Sequence, residues 1–284
     1  MNMELEELKK QIICIARLMY RYGYIAANDG NISVLLDDGT ILTTPSGVSK
    51  GLLTKDELVV IDMKGNKISG PSNRKPSSEV KMHLKVYELR SDVKAVVHAH
   101  PPITTAFSVA NIRLSDCILP ETIFTLGNIK IAEYATPTTD EVPKSIEKAI
   151  IDNDVIILTR HGSLTVGDSL MDAYLKLESL EHSAKIISES MKLSLSQLFA
   201  SSSSSLSSSL SSSLSSSSSI IRPLPPKEIE RLQGIRQKII DSKKQLNLAA
   251  TTGQDGDKLE LTEELVRSLV EEVLRKLEED ENEE

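Results

Sequence analysis

Leu8, Ile12, Ile15, Ala16 and Met19 recur at helical spacing along residues 3–21 and predict an amphipathic first helix. The pattern then shortens to strand-like runs. A polar loop, Ala26-Ala27-Asn28-Asp29-Gly30-Asn31, leads into a strand at Ile32–Leu36. Asp38-Gly39 signals a hairpin, and Ile41–Thr44 returns as its partner. Leu58–Ile61 and Ile68 form a second hairpin, turned at Lys64-Gly65-Asn66. Ser77–Leu89 reads as a helix, Val93–Ala99 as a strand and Ser145–Ile151 as part of a helix. Val155–Thr159 is a buried strand, Ser163–Val166 follows a turn, and Met171–Met191 is a long helix. Hairpins mixed with helices predict an α/β fold whose sheet is mostly antiparallel.

The pattern stops at residue 201. From Ser201 to Ser219 the chain is serine, broken only by Leu206, Leu210 and Leu214, which reads as a linker or an insertion. Pro223–Lys244 reads as a further helix, and Asn247–Asp257 as a second polar linker. The last helix, Thr262–Leu277, has Thr262 as its N-cap, with Leu261 and Val266 at staple positions. Leu265, Val266, Leu269, Val270, Val273, Leu274 and Leu277 form one apolar stripe along it. The expected organisation is a catalytic domain at 1–200, the serine run at 201–219 and a C-terminal helix of that domain at 220–245. A linker at 246–258 and an amphipathic helix with an acidic tail at 259–284 complete it.

Charge sharpens that division. The net charge is −8, and residues 259–284 hold eleven acidic and three basic side chains, which alone give −8. The remainder, with 30 of each sign, is neutral and offers no basic field for nucleic acid. No run approaches the roughly 20 apolar residues of a membrane span, so the expected location is the cytoplasm. Cys14 and Cys117 follow no metal or redox spacing and read as buried free thiols.

The sharpest chemical signal is Val96-Val97-His98-Ala99-His100-Pro101-Pro102. In a strand, residues two apart face the same side, so His98 and His100 can grip one metal ion at a strand end that the prolines terminate. His161 follows the apolar strand 155–159 and precedes Gly162, at another strand end. Three neutral imidazoles suit zinc and leave room for substrate. Glu79, in Pro76-Ser77-Ser78-Glu79, reads by itself as an ordinary first-turn acid, with the two serines capping its helix. His83 lies one turn later, as a partner of the site or a packed histidine, and His182 reads as structural. Gly30-Asn31 and Thr43-Thr44-Pro45-Ser46-Gly47 are unremarkable turns individually. Together with Ser77-Ser78 they could surround a phosphate without lysine or arginine.

In this order Gly30-Asn31, Ser46-Gly47, Ser77-Ser78-Glu79, His98-Ala99-His100 and Arg160-His161-Gly162 resemble the class II aldolase/adducin family, and within it the L-fuculose-phosphate aldolase branch. The resemblance covers about residues 5–192 and resumes at 223–240. It implies a three-layer α/β/α sandwich, a homotetramer, and one zinc per subunit held by Glu79, His98, His100 and His161. Glu79 would also be the catalytic acid/base, while Gly30, Asn31, Ser46, Gly47, Ser77 and Ser78 would bind the substrate phosphate. The implied reaction is retro-aldol cleavage of a ketose 1-phosphate to dihydroxyacetone phosphate and lactaldehyde. Alternatives within the resemblance are a methylthioribulose-phosphate dehydratase, a pentulose-phosphate epimerase and a non-catalytic adducin-like protein. Aldolases of this branch use tyrosines as proton donors, but here the first such region reads Ile118-Leu119-Pro120-Glu121-Thr122 and no tyrosine follows Tyr174. The last helix resembles the encapsulation peptides that load enzymes into bacterial microcompartments. That resemblance implies a shell or cargo partner for 259–277 and a location inside such a compartment.

Overall fold

The computed structural model describes residues 3–114, 119–201 and 224–251. The serine run after residue 201, the helix expected at 262–277 with its docking role, and Cys117 lie outside the described residues. One eight-stranded sheet organises the chain in the order β4-β3-β2-β1-β5-β8-β7-β6. Its strands are β1 (Asn31–Leu35), β2 (Ile41–Thr43), β3 (Val59–Ile61), β4 (Lys67–Ser69), β5 (Ala95–Ala99), β6 (Ile129–Ala132), β7 (Val155–Leu158) and β8 (Gly162–Gly167). Every neighbouring pair is antiparallel except β6 and β7. The helices are α1 (Met3–Arg21), α2 (Val80–Leu89), α3 (Pro102–Val109), α4 (Pro120–Thr125), α5 (Glu141–Ile150), α6 (Leu170–Ser201) and α7 (Pro226–Thr251).

Strand alternation separates two cores. Ala95, Val97 and Ala99 of β5 pack with α1 and α6, in a cluster with Ile12, Ile15, Met19 and Leu177. Val96 faces the other way, into a cluster with Val86 of α2 and Ile146 of α5. His98 therefore points to the α2 side, and both faces of the sheet are covered by helices. A third cluster joins Phe107, Ile157 and Leu180 under α3. Its helix begins where the fully buried Glu181 carboxylate accepts the Ile103 and Thr104 amide protons, each at 2.9 Å. Proline at N1 leaves those donors free for a cap supplied by α6.

Several expectations shift. α1 matches its predicted span, but Cys14 is exposed and not buried. Two residues beyond Ile12 is about 200° round a helix, so Cys14 sits opposite the buried stripe. α2 starts at Val80, later than the predicted Ser77. Pro76 bridges Pro45 and Ser77 N–H donates to Thr44 O at 3.2 Å, which holds the segment extended and delays the helix. The part-helix expected at 145–151 falls within α5, which begins at Glu141, and α6 runs on past the expected Met191 to Ser201. α7 extends to Thr251, into residues expected to be linker. β6, α3 and α4 had no counterpart in the pattern. The chain divides into one compact unit up to Ile229 and a second from Glu230 onward. Among the described residues, no helix is long and apolar enough to cross a membrane.

Register gathers several strand ends at one end of the sheet. Asn31 pairs with His98, Ser33 with Thr43, Ala99 with Ser163 and Leu158 with Gly162. The entries to β1 and β8 and the exits from β2, β5 and β7 therefore share an end. The opposite end carries an ion network. Asp154 accepts from Arg90 Nη2 at 2.9 Å and from Lys176 Nζ at 3.0 Å, and Lys176 also reaches Val166 O and Asp172. Burial alone would raise the Asp154 carboxyl, but Lys176 and Arg90 outweigh it and hold it below the usual range. Its contribution is therefore present above the unfolded carboxyl's ordinary value, near 4, and is lost as pH falls through the depressed folded value. Asp154→Asn should cost about 1–3 kcal/mol at pH 7 by urea denaturation and flatten the acid limb of stability below about pH 4. An unchanged acid limb would place the pH-sensitive group elsewhere.

Candidate metal centre

His98 is fully buried at the end of β5, and its Nδ1 lies 2.8 Å from Ser163 O on the adjacent strand. A carbonyl only accepts, so Nδ1 carries the proton and a neutral His98 presents a bare lone pair at Nε2. His100, just past the strand, has Nδ1 3.3 Å from Asp29 Oδ2, which fixes the same tautomer. The two Nε2 atoms are 3.1 Å apart. His161 enters from the turn between β7 and β8, where Arg160 takes φ +57° and its N–H donates to Ser108 Oγ at 2.7 Å. Glu79 completes the group, with Oε2 at 3.3 Å from His98 Nε2 and Oε1 at 3.2 Å from His161 Nε2.

One ligand atom from each of Glu79, His98, His100 and His161 lies within 4.8 Å of all the others. Four ligands at roughly 2.0–2.1 Å from a common centre lie about 3.3 Å apart in a tetrahedron, close to the shortest separations here. Burial would raise the Glu79 carboxyl, but its contacts with His161 and His98 hold it well below the ordinary carboxylate range. Burial, with His98 nearby, pushes His100 down to about 4, so its ring is uncharged at neutral pH and keeps only one proton. Glu79 Oε1 is buried with no hydrogen-bond partner beyond that histidine contact. A single proton relieves one pair of converging lone pairs, whereas a divalent cation relieves all four.

The backbone makes room for this convergence. A Cβ on Gly162 would lie 2.2 Å from Ala99 O and 2.8 Å from the His100 ring. Glycine is required there because β8 passes directly against the end of β5. Gly30, at φ +70°, is pressed against His98 O and Ile25 in the same way.

Beside the ligands, the predicted polar loops come together. Asn31 Nδ2 donates to Ser77 Oγ at 3.1 Å, Ser77 Oγ also accepts the Glu79 amide proton at 3.3 Å, and Ser46 N–H donates to Lys75 O. Ser46, Gly47 and Ser78 are exposed around this core, while Asn31 and Ser77 are buried. The Glu79 side chain does not cap α2 but turns to the histidines. His83 is fully buried, hydrogen-bonded at 2.7 Å to Ser33 Oγ and pushed down to about 3 by burial, so it is a packed neutral imidazole. His182 is exposed on α6, away from the cluster. Sequence reasoning missed two members. Asp29 was hidden in a run that reads as a turn, and Lys50, fully buried, is flanked by ordinary loop residues.

Comparison with known proteins follows the same outline. The family model for the class II aldolase and adducin N-terminal domain matches residues 10–188. An L-fuculose phosphate aldolase of Methanococcus maripaludis is 36% identical over 176 residues, 62% of this chain and 93% of that protein. A 3-oxo-tetronate 4-phosphate decarboxylase of Haemophilus influenzae is 33% identical over 182 residues, 63% of this chain and 85% of that protein. Among solved structures, an L-fuculose 1-phosphate aldolase superposes with TM-score 0.65 at 26% identity, covering 80% of this chain and 95% of its own. YgbL of Escherichia coli, given as a candidate aldolase/epimerase/decarboxylase, superposes with TM-score 0.65 at 28% identity over 81% and 99%.

Asp29→Ala should weaken zinc binding about 10–100-fold in competition with a chromogenic chelator, because His100 loses the partner that fixes its tautomer. Unchanged affinity would mean that the Asp29 contact does not orient the ligand.

Proposed function

The chain belongs to the class II aldolase and adducin family, and from that premise we propose that it cleaves a phosphorylated ketose by zinc-dependent retro-aldol chemistry. At the coarser level it is a metal-dependent lyase of the class II aldolase type. The observation that carries the finer reading is the convergence of Glu79, His98, His100 and His161 next to the loops joined by Asn31 and Ser77.

Zinc bound by these four residues would act as a Lewis acid on the ketose carbonyl and its neighbouring hydroxyl. The chain's own residues do the rest. His98 and His100 are oriented through Nδ1 by Ser163 O and Asp29, which turns each Nε2 toward the site without rearrangement. Glu79 is ionised and buried among the ligands, placed to yield its ligand position to substrate, to take up the proton released as the hydroxyl beyond the breaking bond becomes a carbonyl, and to return it to the carbon freed by cleavage. Gly30, Asn31, Ser46, Gly47, Ser77 and Ser78 hold the phosphate through backbone and hydroxyl donors. That binding energy is spent away from the bond being broken, on position. The favoured substrate is L-fuculose 1-phosphate or a related 6-deoxyketose phosphate, in line with the aldolase relatives. The family's homotetramer belongs to the same proposal.

One sequence feature favours a second reading. Retro-aldol cleavage must move a proton at the aldehyde-side oxygen, and the tyrosines of aldolases of this branch have no match after Tyr174. Decarboxylation of a 3-oxo acid phosphate releases carbon dioxide and needs no such donor, yet it uses the same stabilisation of the carbon left behind. A relative with that activity is 33% identical. Turnover of zinc-loaded protein should therefore be compared on ketose 1-phosphates and on 3-oxo-tetronate 4-phosphate. Aldehyde release supports the first reading and carbon dioxide release the second. With whichever substrate is turned over, Glu79→Gln should lose about 10²-fold or more in kcat, the usual scale of a general acid/base. Near-normal turnover in that variant would assign the proton to another residue.

A further inference from the structure

Lys50 is the largest of the fully buried side chains, only 2% exposed, and lies within the loop that follows β2. Its Nζ donates to Asn28 O at 2.8 Å and to Val48 O at 3.1 Å. No carboxylate stands within ion-pair distance of it among the described residues. A buried ammonium without a direct counter-ion is costly, because neutral carbonyls replace only part of its hydration. An apolar side chain of equal length would fill the same space without that cost. The position of the amine offers the reason for keeping it. Asn28 stands two residues before Gly30, and Val48 directly follows Gly47. The amine thus ties the loop at 26–31 to the loop at 44–50. The third loop is joined to the same unit through Asn31 and Ser77, and through Ser77 and Thr44. Around Gly47, at φ +72°, there is open space on the side where a Cβ would stand. Such a turn leaves backbone N–H groups available to an anion.

We propose that Lys50 is the concealed cation of the anion-binding end of the site, clamping two of its loops and supplying positive charge from beneath their neutral donors. This rests on the reading that these loops hold a phosphate, and it deepens that reading by making Lys50 a positioning residue that need not touch the ligand. Burial pushes its amine down to about 8, while the charges of Asp29 and Glu79 pull it upward. Those two carboxylates are the charged groups that act on it. Both are engaged by ligand histidines, so a bound dianion would be the remaining charge for Lys50 to neutralise.

The test is calorimetric binding of inorganic sulfate to the zinc-loaded protein. Sulfate stays a dianion across the working pH range and so isolates the titration of the protein. Lys50→Met removes both the charge and the clamp, whereas Lys50→Gln keeps an amide that can still donate to Asn28 O and Val48 O. Both variants should bind sulfate at least tenfold more weakly than the natural chain, with the same zinc content. Natural-chain affinity should fall as pH rises past about 8, the region in which Lys50 loses its proton, and this dependence should be absent in Lys50→Gln. If Lys50→Met does not fold, Lys50→Gln and the natural chain's pH profile still decide. Sulfate affinity in Lys50→Gln equal to that of the natural chain, with the same pH profile, would overturn the proposal and leave the phosphate reading standing. Absence of competition between sulfate and phosphorylated substrates in the natural chain would overturn both.

Discussion

The constraint on which the rest depends is the bond from His98 Nδ1 to Ser163 O, 2.8 Å across two neighbouring strands. It fixes the proton on the far side of the ring and turns Nε2 into a lone pair facing Glu79 and His100. The bond exists only in the observed register, with Ala99 opposite Ser163 and Gly162 against Ala99 O. A slip of one residue would turn His98 to the α1 and α6 face and bury it among aliphatic side chains. The hydrophobic alternation of β5, with Ala95, Val97 and Ala99 on one face and Val96 on the other, is what makes that slip expensive. Core packing thus sets the register, the register sets the tautomer, and the tautomer sets the capacity for a metal.

Charge is distributed with the same economy. At the end that carries the histidines, Glu79 is ionised, His100 is neutral, and the loop groups around Asn31 and Ser77 are uncharged, so an incoming cation meets an unmatched carboxylate. At the far end, Arg90 and Lys176 both pair with Asp154, and with Asp92 and Asp172 respectively, and so link α2, β7 and α6. The two ends share the same strands, and buried polar atoms without hydrogen-bond partners, Asn31 Oδ1 and Glu79 Oε1 among them, lie at the histidine end.

Much of this was legible in the sequence. His98-Ala99-His100 could be placed on one metal because strand periodicity is two, and His161 because an apolar run followed by glycine marks a strand end. α1 and most of the strands followed from their apolar spacing. What escaped notice was long-range. Asp29 and Lys50 make their contacts with residues 71 and 22 positions away, His100 and Asn28, and nothing local distinguishes an Asp in a turn or a Lys in a loop. α2 starts late because Pro76 pairs with Pro45, a contact invisible to helical periodicity. The four-residue β6, half exposed, had too little pattern to register. Cys14 was misjudged because its residue type outweighed its position on the helix.

The central claim is that Glu79, His98, His100 and His161 form one ligand set. Anomalous diffraction at the zinc edge from crystals of the zinc-loaded protein tests it most directly. A single strong peak per chain is expected, with Glu79 oxygen and the three imidazole nitrogens at about 2.0–2.2 Å. A peak centred on other residues, or none between these four, would contradict it.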